Sequence, residues 1–309
     1  MGDSSYPEIK HPPAKAPVDF EPAMTPGRAG TSIACSAHPA RMGESTVNKH
    51  TIRILAACAA LALPVAHAAD PMDAAAESGA AIAAAIASPD RPPADLEQDA
   101  RRRPQAVLAF LGVQPGMQVA DMMSASGYYT ELLARIVGVK GQVVAYNNPA
   151  YAAFAAKGIV ARYAGDRLGN VRQVTADIEK LELAPASLDA AMFIMAYHDL
   201  YWRPADGSWP QTDPAALVAK VFAALKPGGV VLVEDHVANA GGDTAATVDK
   251  LHRIDPALVK RDFEKAGFVF DGESRALAHP DDDHSKLVFD DSVRGKTDQF
   301  IYRFRKPAH

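Results

Sequence analysis

Sulfur chemistry is nearly absent from this chain, which carries only two cysteines, Cys35 and Cys58, in 309 residues. Both precede residue 69, so the remainder has no disulfide, thiolate nucleophile or Cys metal site to offer. A basic excess is missing too: the net charge is -5 and Arg101-Arg102-Arg103 is the only tight cationic run. Nucleic acid is therefore not an expected partner. The most apolar stretch, residues 54–65, is too short to cross a bilayer, and no stable membrane anchor is expected. What the chain does have is a hydrophobic fraction of 48%, enough for a full core.

The N-terminal third divides by composition. Residues 1–41 are rich in Pro, Ala and Ser without periodicity and read as a disordered extension, or as sequence ahead of a true start at Met42. Residues 42–68 follow the secretory pattern: a polar region with Lys49, His50 and Arg53, the apolar run, then Ala66-His67-Ala68 as a small-x-small cleavage site. Cleavage after Ala68 would place the mature chain in the periplasm or outside the cell. Leu55-Ala-Ala-Cys58 fits a lipobox, but the apolar run continues past the cysteine that should begin a lipidated chain. Residues 69–90 are Ala-rich and read as a linker or loosely docked helix.

From residue 91 onward, strands and helices alternate. An amphipathic helix over 94–111 presents Leu96, Val107, Leu108 and Leu111 and ends at Gly112 and Pro115-Gly116. A short buried strand ends near Asp121, a tight turn passes over Gly127, and a helix follows with Leu132, Leu133, Ile136 and Val137 on one face. Further strands are expected over 142–146, 171–175, 188–195 and 230–233, with a helix from Asp213 and Pro214 closed by Lys226-Pro-Gly-Gly229. A helix over 244–266 leads to strands over 268–276 and 299–304. This alternation argues an α/β, doubly wound, mostly parallel sheet with helices on both faces and ligands at the carboxyl ends of the strands.

Asp121, Gly127, Tyr128, Tyr129 and Thr130, with the later Leu225-Lys-Pro-Gly-Gly229, resemble class I S-adenosylmethionine-dependent methyltransferases over roughly residues 91–307. Within that superfamily the chain is most similar to a group of exported "predicted methyltransferases". The resemblance implies a Rossmann-like, seven-stranded sheet whose last strand is antiparallel, with S-adenosylmethionine as cofactor. Asp121, Ala125, Gly127, Tyr128, Asn147 and Asp177 fall where the superfamily contacts that cofactor. Met123 and Ala125 stand where glycines are usual, and Asn147 where an acid normally binds the ribose; an amide lacks a carboxylate's charge assistance.

Methyl transfer needs positioning, and a base when the acceptor is a hydroxyl or amine. His198 is the expected base, with Asp199 or Asp235 orienting its ring and His236 beside them. Tyr128, Tyr129, Tyr197, Tyr201 and Trp202 are candidates for a pocket wall that favours a cation. The expected partner is a small-molecule methyl acceptor. Two other functions use the same residues: a degenerate fold that binds a small ligand without catalysis, and a divalent-metal protein or hydrolase built on His198, Asp199, Asp235, His236, His279 and His284. The histidine spacing matches no zinc signature, so no metal ligands are assigned.

Overall fold

The computed structural model describes residues 71–308; the extension, the secretory pattern and the cleavage site lie outside them. The strands are β1 (Gln118–Met122), β2 (Gln142–Asn147), β3 (Val171–Thr175), β4 (Leu188–Ile194), β5 (Leu225–His236), β6 (Val269–Ser274) and β7 (Gln299–Arg305). They form one sheet in the order β3-β2-β1-β4-β5-β7-β6. Only β7 runs against its neighbours, pairing antiparallel with β5 and β6. This is the Rossmann-like arrangement the sequence implied, and the chain reverses its direction of winding between β1 and β4.

Alternate residues along each strand feed two cores. On one face Val119, Met192 and Leu232 pack with α1 (Pro71–Ile86), α3 (Pro104–Leu111) and α4 (Tyr128–Val137) through Ile82, Leu108 and Leu132. On the other, Ala120, Phe193 and Val233 meet α7 (Pro214–Ala224) and α9 (Pro256–Lys265) through Leu217, Val221 and Phe263. Each such fully buried side chain contributes about 1.5–3 kcal/mol. The Ala-rich stretch is helical and docked: Ile82 is fully buried, and Ser78 Oγ donates to the Val113 carbonyl at 2.7 Å.

Two helices expected as continuous are broken, both for the same reason. The first becomes α2 (Pro93–Arg102) and α3, separated by Arg103 at φ 44°. Pro104 has no N–H to donate and disfavours helix at the residue before it. Leu96, expected on the apolar side, is 46% exposed once α2 turns away. The second splits into α8 (Thr244–Leu251) and α9, with His252 at φ 50° and Asp255 capping ahead of Pro256. Two helices not read from the sequence, α5 (Pro149–Phe154) and α6 (Ala156–Tyr163), follow β2.

A buried ionic clasp holds α2 over the sheet edge. Arg162 on α6 reaches Asp95 with two hydrogen bonds, at 2.6 and 3.0 Å, and also donates to Glu131 on α4. Arg167 adds a 2.6 Å bond to Glu131. Removing one member would strand a buried charge, at a cost of roughly 3–5 kcal/mol.

Candidate active site

Parallel strands open their carboxyl ends to one edge, and the turn after β1 is the first element there. Asp121 is 2% exposed and accepts a 2.6 Å hydrogen bond from Thr130 Oγ1. Burial raises its carboxyl to about 6, against the opposing pull of that hydroxyl and of the Arg102 charge. Three alternate residues of the turn adopt left-handed backbone: Met123 at φ 57°, Ala125 at φ 48° and Gly127 at φ 82°. The path that glycines would normally permit is thus kept with side chains at two of the three positions, at about 1–2 kcal/mol each. Gly127 is irreplaceable in a stricter sense, because a Cβ there would stand 3.0 Å from Tyr163 Oη. Gly158 of α6 is similarly required, since its Cβ would meet that of Ser126 at 2.4 Å.

Asn147, at the end of β2, spends its amide on this turn. Its Oδ1 accepts from Ala125 N at 2.9 Å, and Nδ2 donates to Ser124 Oγ and the Ala125 carbonyl, both at 3.2 Å. Asn148 keeps a buried Nδ2 with no hydrogen-bond partner while its Oδ1 caps α5. Asp177 lies beyond β3, exposed and paired with Lys180 at 3.1 Å.

The second group gathers after β4 and β5. His198 opens a short 3-10 turn, and Asp235 grips it twice: Oδ1 faces ring Nδ1 at 2.7 Å, and Oδ2 accepts from the His198 backbone N–H at 2.9 Å. The other ring nitrogen, Nε2, lies 3.4 Å from Asp199 Oδ1. Tyr151 Oη donates to Asp199 Oδ2 at 3.0 Å. Burial alone would lower the His198 pKa, but Asp199 and Asp235 outweigh it and raise it to about 9. Asp235 is correspondingly held below the usual carboxylate range by the imidazolium, despite its burial. Asp199 moves the other way, raised mainly by burial. Asp235 is the counter-ion; Asp199 is the group with room to change its proton.

His236 turns aside to Thr297 Oγ1, 2.9 Å from its Nδ1, and burial lowers it to about 3. His252, missed in the sequence because it lies inside an expected helix, sets its ring at a tilt 5.6 Å from that of His198 and 5.2 Å from Trp202. Trp209 completes this wall, 5.0 Å from Trp202 and 5.7 Å from Tyr151. Tyr197 and Tyr201 do not join it. Both hydroxyls donate to Asp262 on α9, which turns the rings toward the core. An open surface groove lined by Asp99, Pro104 and Ala109 lies between α2 and α3 and takes no part in this edge. Among the described residues, no three His, Cys, Asp or Glu side chains converge as a metal site.

Residues 120–233 match a family model described as a methyltransferase domain. Solved structures with a similar fold include a SAM-dependent methyltransferase from Aquifex aeolicus, at 19% identity, covering 69% of this chain and 93% of that one, with a TM-score of 0.48. An arsenic(III) S-adenosylmethionine methyltransferase from Chlamydomonas reinhardtii aligns at 18% identity over 74% of this chain and 73% of that one, TM-score 0.45. Phosphoethanolamine N-methyltransferase 2 from Haemonchus contortus, in complex with S-adenosyl-L-methionine, aligns at 15% over 67% and 52%, TM-score 0.45. No curated protein matches the chain. The matched segment runs from within β1 into β5 and contains Asp121, Asn147 and His198, while Asp235 and His236 lie just beyond it on the same strand. The match makes residues 120–233 a methyltransferase domain on a Rossmann-like sheet, and S-adenosylmethionine is the cofactor that such a domain takes.

The residues fit that cofactor. The turn after β1 keeps its left-handed path, and the orphaned Asn148 Nδ2 offers a donor beside the Asn147 amide that the turn consumes. A further orphan, Glu234 Oε2, lies at the end of β5 in a residue 1% exposed.

Proposed function

We propose that the domain methylates a small-molecule acceptor bearing a hydroxyl or amine, and that it does so in the periplasm, following export directed by residues 42–68. The observation that carries the acceptor chemistry is the doubly gripped His198, buried at the strand edge between Asp235 and Asp199. S-adenosylmethionine supplies an electrophilic methyl group. The chain supplies orientation and a place for the proton.

Asp235 fixes the ring through Nδ1, so Nε2 is the nitrogen available for exchange. With its pKa near 9, His198 rests as an imidazolium at neutral pH. Only the deprotonated fraction accepts the acceptor's proton, which then sits between two carboxylates. The aromatic wall of Trp202, Trp209 and His252 excludes water and suits a flat or apolar acceptor. Export is supported by the charged, apolar and small-x-small succession ending at Ala68, and by the absence of cysteine beyond it.

The test replaces His198 with Ala in protein beginning at Ala69 and screens small phenols and amines for methylation. Retained binding of S-adenosylhomocysteine with turnover down roughly two or more orders of magnitude supports the assignment. Unchanged turnover removes His198 from the reaction.

A further inference from the structure

Glu234 has no role in the site as described. It lies on the strand face that carries Asp121, Leu232 and Met192, opposite the face that gives Asp235 to His198. Its Oε2 is buried without a partner. Above that face α4 places Tyr128 and Tyr129, 6% and 3% exposed. Over these rings hangs the Arg102 guanidinium, 4.7 Å from the Tyr128 centroid and 6.0 Å from that of Tyr129. The half-buried guanidinium thus lies over the two rings, on the sheet face that carries the buried carboxyls of Asp121 and Glu234, and its charge reaches both.

Two aromatic faces and the Asp121 carboxylate attract a cation, joined by Glu234 once that carboxyl ionises near pH 8. Arg102 is an economical occupant, because its side chain is tethered elsewhere: Nε donates to Gln98 Oε1 at 2.8 Å, one turn back on α2. Neither carboxyl receives a hydrogen bond from it. Glu234 Oε2, left without a hydrogen bond, is open to another cation.

We infer that Arg102 is a resident cation in a cradle formed by Asp121, Tyr128, Tyr129 and Glu234, and that it yields this cradle to the sulfonium group of a bound ligand. This rests on the assignment of the methyl donor above, not on His198. Arg102 then competes with the charged ligand and not with its uncharged product, so the resting protein discriminates less against the product than the cradle alone would.

The test compares S-adenosylmethionine with S-adenosylhomocysteine, which differ by one methyl group and the positive charge, by calorimetry on protein beginning at Ala69. Arg102→Met should shift the ratio of their dissociation constants toward S-adenosylmethionine by about fivefold, the order of one cation–π contact. Arg102→Lys, which keeps a charge, should leave the ratio near that of the parent. At pH 9, where the Glu234 carboxyl is ionised, Glu234→Gln should shift it toward S-adenosylhomocysteine. An unchanged ratio in Arg102→Met, a shift in the opposite direction, or no binding of either ligand to any of these proteins overturns the inference. Turnover does not enter the comparison, so a failure of His198 as base is read separately.

Discussion

Asp235 holds His198 through ring and backbone at once, with Nδ1 at 2.7 Å from one carboxylate oxygen and the amide nitrogen at 2.9 Å from the other. With Asp199 on the other side of the ring, the first contact sets the ring's charge, and the second sets where the 3-10 turn begins. Asp235→Asn should keep the turn and lose the charge. The His198 pKa should then fall from about 9 toward its ordinary value, read directly by the histidine ring signals in an NMR titration. A histidine that still titrates near 9 in this variant would show that Asp199 alone sets its charge.

Turnover should depend on pH in the way a base with a raised pKa requires. Below about 9, the reactive neutral imidazole is a minority species, and kcat should climb close to tenfold per pH unit until it levels near 9. In Asp235→Asn the rise should level at lower pH. A flat profile between pH 6 and 9 would exclude His198 as the base.

Stability should fall as pH rises from about 6.5 to 8. In this window folded His198 and Glu234, raised to about 9 and about 8, stay protonated, whereas their unfolded counterparts near 6.5 and 4.5 give up protons. The folded chain binds more protons, so each group removes on the order of 1.4 kcal/mol of stability per pH unit. At the acid end, His236 and His252, lowered by burial to about 3 and about 4, resist the protons the unfolded chain accepts, while Glu234 and Asp121, raised to about 8 and about 6, offset them from about pH 4.5 upward. Thermal melts should therefore reach a broad maximum on the acid side of pH 6.5. Glu234→Gln should melt higher than the parent at pH 8.5; an unchanged melting point there would show that Glu234 ionises freely in the fold.

The turn after β1 makes opposite predictions for neighbouring positions. Ala125 sits at φ 48°, so Ala125→Gly relieves strain of about 1 kcal/mol and gives back a similar amount in chain entropy. Its melting temperature should move little. Gly127→Ala meets both φ 82° and the Tyr163 hydroxyl, and should lose more than about 1 kcal/mol by denaturant titration.

Much of this architecture could be read from the residues. Asp213-Pro214 and the Lys226-Pro-Gly-Gly229 phrase placed α7 and the strand after it. The buried runs placed β1, β2 and β4, and the strand-end rule brought His198 and Asp235 to one edge. Local chemistry marks such features. The rest is set by neighbours distant in sequence. Leu96 satisfies a helical stripe yet faces solvent, because Arg103 turns the chain before Pro104. Tyr197 and Tyr201 have the composition of a pocket wall, but Asp262, more than sixty positions away, draws their hydroxyls inward. Arg102 is the middle of a run of three arginines, and nothing nearby in sequence indicates the rings beneath it. Glu234 stood in plain view at a strand end, and only the absence of a partner gives it meaning.

The left-handed Arg103 and the Asp95–Arg162 clasp divide α2 into a pivot and a catch. Swinging the helix aside means rotating about Arg103, parting the Asp95–Arg162 pair, releasing Asp99 from the Tyr128 hydroxyl and lifting Arg102 off the two tyrosine rings. Opening is then a single activated event with its own clock, so ligand residence time should be governed by α2 and not by the tightness of the contacts beneath it.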